Sequence, residues 1–327
     1  MSQTNLIGRL KVAYKKLRGE QVYVMVFVAA ILFLVGRMLN KNFISPANIG
    51  NIMGMAVILA FAAAGQTLII IMAGGIDISA GSVMSLGSII AVQVMQQRDS
   101  MILPSILIIL VVGAAIGACN AAGIIKAKVP PLVMTLAMSN VVSTIQMIVS
   151  KGTPDGKPAP AISFLGTVRI FPWLPYMILL GLLLMFGMYF LLNRTIFGRQ
   201  IFAVGSNENA ARFSGIRTNR IKTLVYVFSG MLAGMAGFWF AAYNTYININ
   251  IANHYVMPAV AAVLIGGSAF SGGKGRYSGS VAGAVVLTLV ASLLIMMRTS
   301  DPVKQIINGA ILLVLLALYN REPAIRQ

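Results

Sequence analysis

The sequence is divided into long apolar stretches that few charged residues interrupt. Hydrophobic residues make up 58% of the 327 positions and charged residues 10%, whereas a soluble domain carries about 25% charged residues. An apolar stretch of about 18 or more residues can cross the hydrocarbon core of a bilayer as one helix. The repetition of such stretches predicts an all-α protein that crosses a membrane many times, a polytopic helical bundle.

About ten transmembrane helices are predicted, some of them short or broken by glycine. They are expected at about 22–40, 48–72, 79–97, 101–125, 130–150, 171–193, 221–243, 255–268, 277–297 and 303–320. The 255–268 segment is short enough to be a half-helix, so the number of full spans is left open between eight and ten. Residues 22–320 are expected to form one membrane domain, between a cytoplasmic segment at 1–21 and a cytoplasmic tail at 321–327.

The positions of Lys and Arg predict the orientation of these helices. With residues 1–21 in the cytoplasm, seventeen of the 25 Lys and Arg residues fall in segments on the cytoplasmic side. Cytoplasmic loops of membrane proteins carry such an excess. The pattern favours ten crossings with both termini in the cytoplasm. Because the net charge of +18 comes from these loops, no nucleic-acid partner is predicted.

The predicted cytoplasmic connection at about 194–220 contains a short helix. Ser206 or Asn207 can cap its N-terminus, and Glu208 suits the positive helix end. Gly215 can end it in the left-handed conformation. A docking role is predicted for Ser206, Asn207, Glu208, Ala210, Ala211, Arg212, Phe213 and Gly215. Alanines at its surface would let a partner approach closely, and the phenylalanine would anchor it. The alternative is a plain surface loop.

A break in a membrane helix is predicted within AGQTLIIIMAGGIDISAGSVMSLGSII. The first helix ends at Gly74-Gly75, and a second begins with Asp77 or Ser79 as its N-cap. Small polar residues on the second helix suit close packing or a watery path. The predicted helix break or translocation path consists of Gly74, Gly75, Asp77, Ser79, Ser82 and Ser85. An acid in a membrane segment indicates function by default, and the alternative is an interfacial helix cap.

Two further connections have a strong turn composition. Six glycines between Gly266 and Gly279 predict a tight, non-helical cytoplasmic turn. It is not a phosphate-binding loop, because Lys274 is followed by glycine. The external connection at about 151–170 is rich in Pro and Gly and is expected to be a structured loop without a helix.

Few residues in the chain could support catalysis or bind a metal. Cys119 is the only cysteine and His254 the only histidine, and no paired carboxylates or HExxH motif occur. No cofactor and no enzymatic activity are therefore predicted. Asn and Tyr residues between 244 and 254 could contact a polyol at the external mouth or belong to a hydrated loop.

Four segments together resemble the permease family of bacterial ATP-binding-cassette importers for monosaccharides, the ribose-type branch. They are GGIDISAGSVMSLGS (74–88), KAKVPPLVMTLAM (126–138), GRQIFAVGSNENAARFSGI (198–216) and LIGGSAFSGGKG (264–275). They occur in the family's order and spacing, and the resemblance covers nearly the whole chain. The segments GTPDGKPAPAI and NTYININIANHY do not match ribose permeases closely, which leaves the sugar open.

The resemblance implies a subunit of the cell inner membrane that imports a neutral pentose or hexose. Its partners would be a cytoplasmic ATP-binding-cassette ATPase, a second permease copy or paralogue, an external sugar-binding protein and membrane lipids. The 198–216 segment would hold the coupling helix, and ATP hydrolysis would occur in the partner. The near-absence of charge in the predicted spans fits an uncharged solute.

Other functions remain open. Within the class, the solute could be a furanose-like signal molecule or a branched-chain amino acid. A secondary transporter would need an ion or proton relay, for which Asp77 is the one candidate acid. A non-transporting scaffold would use 206–215 to recruit a partner.

Overall fold

The computed structural model describes residues 21–244, 246–300, 303–304, 306–307 and 309–310, and most of them are helical. The helices are α1 (Gln21–Leu39), α2 (Pro46–Ile71), α3 (Ser79–Met95), α4 (Ile102–Ile125), α5 (Pro131–Val149), α6 (Pro160–Thr167), α7 (Met177–Arg194), α8 (Ile196–Ser206), α9 (Glu208–Phe213), α10 (Thr218–Tyr243), α11 (Val256–Ile265) and α12 (Tyr277–Met296). Strands β1 (Arg169–Phe171) and β2 (Leu174–Pro175) form a small antiparallel hairpin.

The chain is an all-α polytopic membrane bundle, as its composition predicts. In the described residues, seven helices are long and apolar enough to cross a membrane, and two further apolar helices are shorter. Nine of the ten predicted helices are present. The predicted helix at 303–320 lies outside the described residues apart from a few positions, as do nearly all of 1–21 and all of 321–327.

Helix α2 lies at the centre of the bundle. Of its most apolar window 94% is buried, against 6% for α1. Helices α10 and α12 pack against α2, and α10 also packs closely against α3 and α4. Small residues permit that approach, since a Cβ at Gly230 of α10 would overlap the carbonyl oxygen of Gly113 of α4.

The connection at 151–170 corrects one prediction, because it contains helix α6. Pro160 stands in the first turn of α6, where a missing N–H is tolerated. Ile162 is buried, and Gly166 lies directly against the backbone of Ala242 in α10. The hairpin that follows delays the start of α7 from the predicted 171 to Met177.

The connection at 194–220 contains two helices where one was predicted. Thr195 caps α8 by accepting a hydrogen bond from the Gly198 amide, 3.0 Å away. Ile201 and Val204 bury the inner face of α8. Helix α7 separates α8 and α9 from α6 and the hairpin, so the two groups lie at opposite ends of the bundle. We call the end with α8 and α9 the loop end.

Candidate functional site

The short helix predicted in the 194–220 connection is present as α9. Asn207 is its N-cap, and its Oδ1 accepts a hydrogen bond from the Ala210 amide at 3.0 Å. Ser206 is instead the last residue of α8, and its hydroxyl donates to the Phe202 carbonyl. Gly215 follows α9 with φ +83°, in the left-handed region that glycine adopts without strain.

Glu208 ties α9 to α10. Its carboxylate lies 2.6 Å from Lys222 Nζ and 3.6 Å from Arg212 Nη2. Partial burial acts to raise the pKa of Glu208, but the hydrogen bond and the charge of Lys222 outweigh it and hold that pKa below its ordinary value. The carboxylate is therefore ionised at neutral pH, and it fixes the orientation of α9 on the bundle.

The two faces of α9 differ, which corrects one predicted docking residue. Ala211 is 4% exposed and packs with Ile201 and Ile221, so it is not a surface residue. The outer face presents Ala210, Arg212 and Phe213, and the Phe213 side chain is 91% exposed. A six-residue helix is too short for periodicity to reveal its inner face, so the sequence could not separate Ala210 from Ala211.

The predicted helix break lies between α2 and α3. The Gly74 amide bonds to the Ile69 carbonyl and the Ala73 amide to that of Ile70, the paired hydrogen bonds of a Schellman motif. Ala73 takes the left-handed position of that motif with φ +59°. Gly75 follows with φ +82°, and the chain is extended or irregular until α3 begins at Ser79.

Asp77 binds the start of α3 from inside the bundle. It is 2% exposed, and its Oδ1 accepts hydrogen bonds from the amide and the hydroxyl of Ser79, at 2.9 and 2.5 Å. Neither predicted N-cap is correct, because Ser79 is the first residue of α3 and Ile78 stands at the cap position. The Gln66 side chain of α2 donates to the Asp77 carbonyl and accepts from the Asp77 backbone amide. Asn120 of α4 donates to the Ser79 hydroxyl.

Three distant segments meet behind the break in what we call the glycine junction, residues 71–74, 205–206 and 272–273. The Ile71 carbonyl accepts a hydrogen bond from the Gly273 amide at 2.8 Å. A Cβ at Gly205 would overlap that same carbonyl oxygen. Tyr226 of α10 donates to the Gly74 carbonyl at 2.8 Å. The predicted turn in the 266–279 region is thus present, and its backbone touches both the helix break and the end of α8.

Ser82 and Ser85 connect α3 to two neighbouring segments. Ser85 Oγ accepts a hydrogen bond from the Ala252 amide at 2.9 Å. Ser82 Oγ lies 2.7 Å from Ser139 Oγ of α5 and 3.3 Å from Asn253 Oδ1. Asn253, one of the asparagines predicted at an external mouth, therefore contacts α3. Sequence reasoning missed Ser139, although Thr135, Ser139 and Ser143 at intervals of four residues were a readable polar stripe.

In the residues that the structure describes, no group of three His, Cys, Asp or Glu side chains could hold a metal ion. The site is a set of backbone junctions and neutral hydrogen-bonding side chains around one buried carboxylate. Such an arrangement can hold and move helices, and it can contact an uncharged polar solute.

Comparisons with known proteins agree on the class of relatives. A sequence profile described as "Branched-chain amino acid transport system / permease component" matches residues 48–316. The ribose import permease protein of Escherichia coli K12 is 29% identical over 300 residues, covering 89% of this chain and 91% of the relative. That of Haemophilus influenzae is 31% identical over 296 residues, covering 88% and 90%.

A relative with another solute in its name has a comparable sequence identity. The autoinducer 2 import system permease protein of Yersinia pseudotuberculosis is 31% identical over 291 residues, covering 89% of this chain and 82% of the relative. No solved structure matches the chain.

Proposed function

Because this chain belongs to the family of branched-chain amino acid transport system permease components, we propose that it is the translocation subunit of an ATP-binding-cassette importer for a neutral monosaccharide. The observation that carries the proposal is the similarity to ribose import permeases over about nine tenths of both chains. The described spans support it, since Asp77 is the one buried Asp, Glu, Lys or Arg side chain among the described residues and it is engaged by hydrogen bonds.

The loop end faces the cytoplasm in this proposal, and the chain lies in the inner membrane. Exposed Arg194, Arg199, Arg217 and Arg220 stand at that end, where the bias of Lys and Arg places the cytoplasm. Helix α9 is the coupling helix, and its exposed Phe213 enters a pocket of the ATPase. ATP hydrolysis occurs in that partner, and a second permease copy or paralogue and an external binding protein complete the importer.

Coupling proceeds through the glycine junction. Closure of the ATPase pair would push α9. Helix α8, which directly precedes α9 in the chain, contacts the Ile71 carbonyl through Gly205. Displacement at Ile71 moves the break, and Asp77 carries that movement to the start of α3. Packed backbones transmit such a shift because they have no side-chain rotamers to absorb it.

A furanose-like signal molecule is the second candidate solute, favoured by the similarity to the autoinducer 2 permease. A branched-chain amino acid is less favoured, because a zwitterion would need compensating charges along its path. A transport assay distinguishes these two solutes from each other directly.

The test is uptake into proteoliposomes that hold the complete transporter, with its ATPase and binding protein. Labelled ribose, xylose, glucose, galactose, autoinducer 2 and leucine are supplied with and without ATP inside. We expect ATP-dependent accumulation of at least one of the four sugars. Accumulation of leucine alone, or sugar uptake that follows an ion gradient and ignores ATP, would contradict the proposal.

A further inference from the structure

The polar residues of helix α5 all lie on one half of its circumference, together with Leu132, Leu136 and Met147, whereas the other half carries no polar residue. Because successive residues turn by about 100° around a helix, the polar residues gather on one half of the circumference. They are Thr135, Ser139, Asn140, Ser143, Thr144 and Gln146. The opposite half carries Ala137, Met138, Val141, Ile145 and Ile148. A membrane helix with a plain lipid-facing surface needs no such division.

Packing inside the chain explains part of the polar half. Thr135 is buried and receives a hydrogen bond from the Ile78 amide. Gln146 is buried and donates to the Ser82 carbonyl at 3.0 Å. Ser139 meets Ser82. These three residues hold α5 against the start of α3, and their side chains are already engaged in hydrogen bonds within the chain.

The remaining polar residues of α5 face outward near the middle of the span. Asn140 and Thr144 are exposed and Ser143 is half-buried. The side-chain amide of Asn140 makes no hydrogen bond within the described part of the chain. An unpaired amide in hydrocarbon costs several kcal/mol, whereas apolar Val141 beside it is suited to lipid. This side of α5 therefore faces water, a solute or another polar surface.

A second segment brings two amides to the same place. Asn250 Oδ1 accepts a hydrogen bond from Ser143 Oγ at 2.8 Å, and the Asn250 amide donates to Gln146 at 2.8 Å. Asn250 has φ +58°, a conformation that asparagine tolerates better than most residues. Asn253 lies against Ser82. Both asparagines remain exposed, although hydrogen bonds hold them against α3 and α5.

We propose that Asn140, Ser143, Thr144, Asn250 and Asn253 form a polar wall that hydrogen-bonds the hydroxyl groups of the sugar during its passage, one wall in each permease copy. The inference rests on the proposed function and names the solute-contacting surface within it. Amides and hydroxyls both donate and accept, as sugar hydroxyls do. The wall carries no ionised group, so it suits a neutral polyol better than an ion.

The first experiment maps which side of α5 meets water. In a Cys119→Ser background, single cysteines replace Asn140, Ser143 or, as the control on the apolar half, Val141. The complete transporter in nanodiscs is treated with a small membrane-impermeant thiol reagent, which needs water to reach a thiolate. We expect labelling at 140 and 143, little at 141, and at least fivefold slower labelling when a mixture of the four sugars is added.

Two results would overturn the polar wall. Equal labelling at 140 and 141 would mean that the two halves of α5 do not differ. No labelling at 140 or 143, with or without sugar, would mean that this face is sealed against the second copy. Labelling that the sugars leave unchanged, in a transporter whose wild type imports one of them, would also reject it. A wild type that imports none of them would instead contradict the proposed function.

Uptake supplies the second readout. Asn140→Leu keeps the shape of the side chain but removes its hydrogen bonds, and we expect an uptake KM for the imported sugar raised about tenfold, with normal amounts in the membrane. Val141→Leu, one position away on the apolar half, should transport as wild type. An unchanged KM in Asn140→Leu would contradict the inference.

Discussion

Phe213 and Ala211 lie two positions apart on α9 and have opposite environments. The phenylalanine ring is 91% exposed and the alanine 4%. An exposed aromatic ring beside an exposed Arg212 has the composition of an interface anchor, while a buried methyl group closes the gap beneath the helix. The two residues therefore separate docking from folding, although both belong to the segment for which the sequence predicted one role.

Loss of the Phe213 ring should weaken binding of the ATPase without unfolding the permease. An aromatic anchor is worth about 2 kcal/mol or more at an interface, roughly thirtyfold in affinity. We expect Phe213→Ala to purify with a normal melting temperature and to bind its ATPase about thirtyfold less tightly. Phe171→Ala at the opposite end is the matched control and should bind normally. Equal binding by both variants would remove Phe213 from the interface.

A carboxylate at position 211 should act on stability first. Ala211→Glu would place a charge among Ile201 and Ile221, and burial of an unpaired charge is strongly unfavourable. We expect a lower melting temperature and detachment of α9, detected as proteolysis within 207–216. Ala210→Glu, on the exposed face, should keep the melting temperature and lose ATPase binding. Identical melting temperatures for the two variants would contradict the assignment of faces.

At the scale of elements, α3 is distinguished by its short length and its buried start. Seventeen residues give about 26 Å of helix, against a hydrocarbon core of about 30 Å. Its first turn is held by groups from α2 and α4 through Asp77 and Ser79. We therefore expect movement of the break to move α3 as a unit, together with the serines that contact α5.

A methyl group at Gly205 should interrupt this connection. Its Cβ would overlap the Ile71 carbonyl, so α8 must move away from the break. We expect Gly205→Ala to bind the ATPase but to lose most sugar uptake. Gly187→Ala in α7 is the control, since its Cβ meets nothing within 4 Å, and alanine in a helix should be neutral or stabilising by up to about 1 kcal/mol. Normal uptake in Gly205→Ala would separate the junction from coupling.

The sequence predicted the long helices well because their apolar content is a local property. It also located the helix break and the glycine turn, since Gly75 and Gly273 adopt positive φ where their glycine-rich segments predicted turns. It missed α6, whose Pro160 was taken for a loop signal although it begins a helix. The contact between Ile71 and Gly273 could not be predicted, because about two hundred residues separate its partners and no side-chain pattern marks a backbone hydrogen bond.

At the scale of the whole molecule, the orientation of the bundle decides every partner assignment. The loop end carries α9 and the exposed arginines, and the opposite end carries α6 and the hairpin. We expect a cysteine at Ser214 to resist an impermeant thiol reagent in intact cells and to react after the membrane is opened. A cysteine at Lys157 should react in intact cells. The reverse pattern would invert the topology and place α9 on the side of the binding protein.

The glycine junction has a consequence for how such chains can diverge. The hydrogen bond between the Ile71 carbonyl and the Gly273 amide joins main-chain atoms, so the exposed side chain of Ser206 beside it can change while that bond persists. The glycines at 205 and 273, the buried Ile71 and the hydrogen-bonded Tyr226 are the positions that the geometry constrains. Two permease copies that diverged after a gene duplication could therefore differ in the exposed side chains around the junction and still transmit the same movement, so that two unlike copies could work with one ATPase.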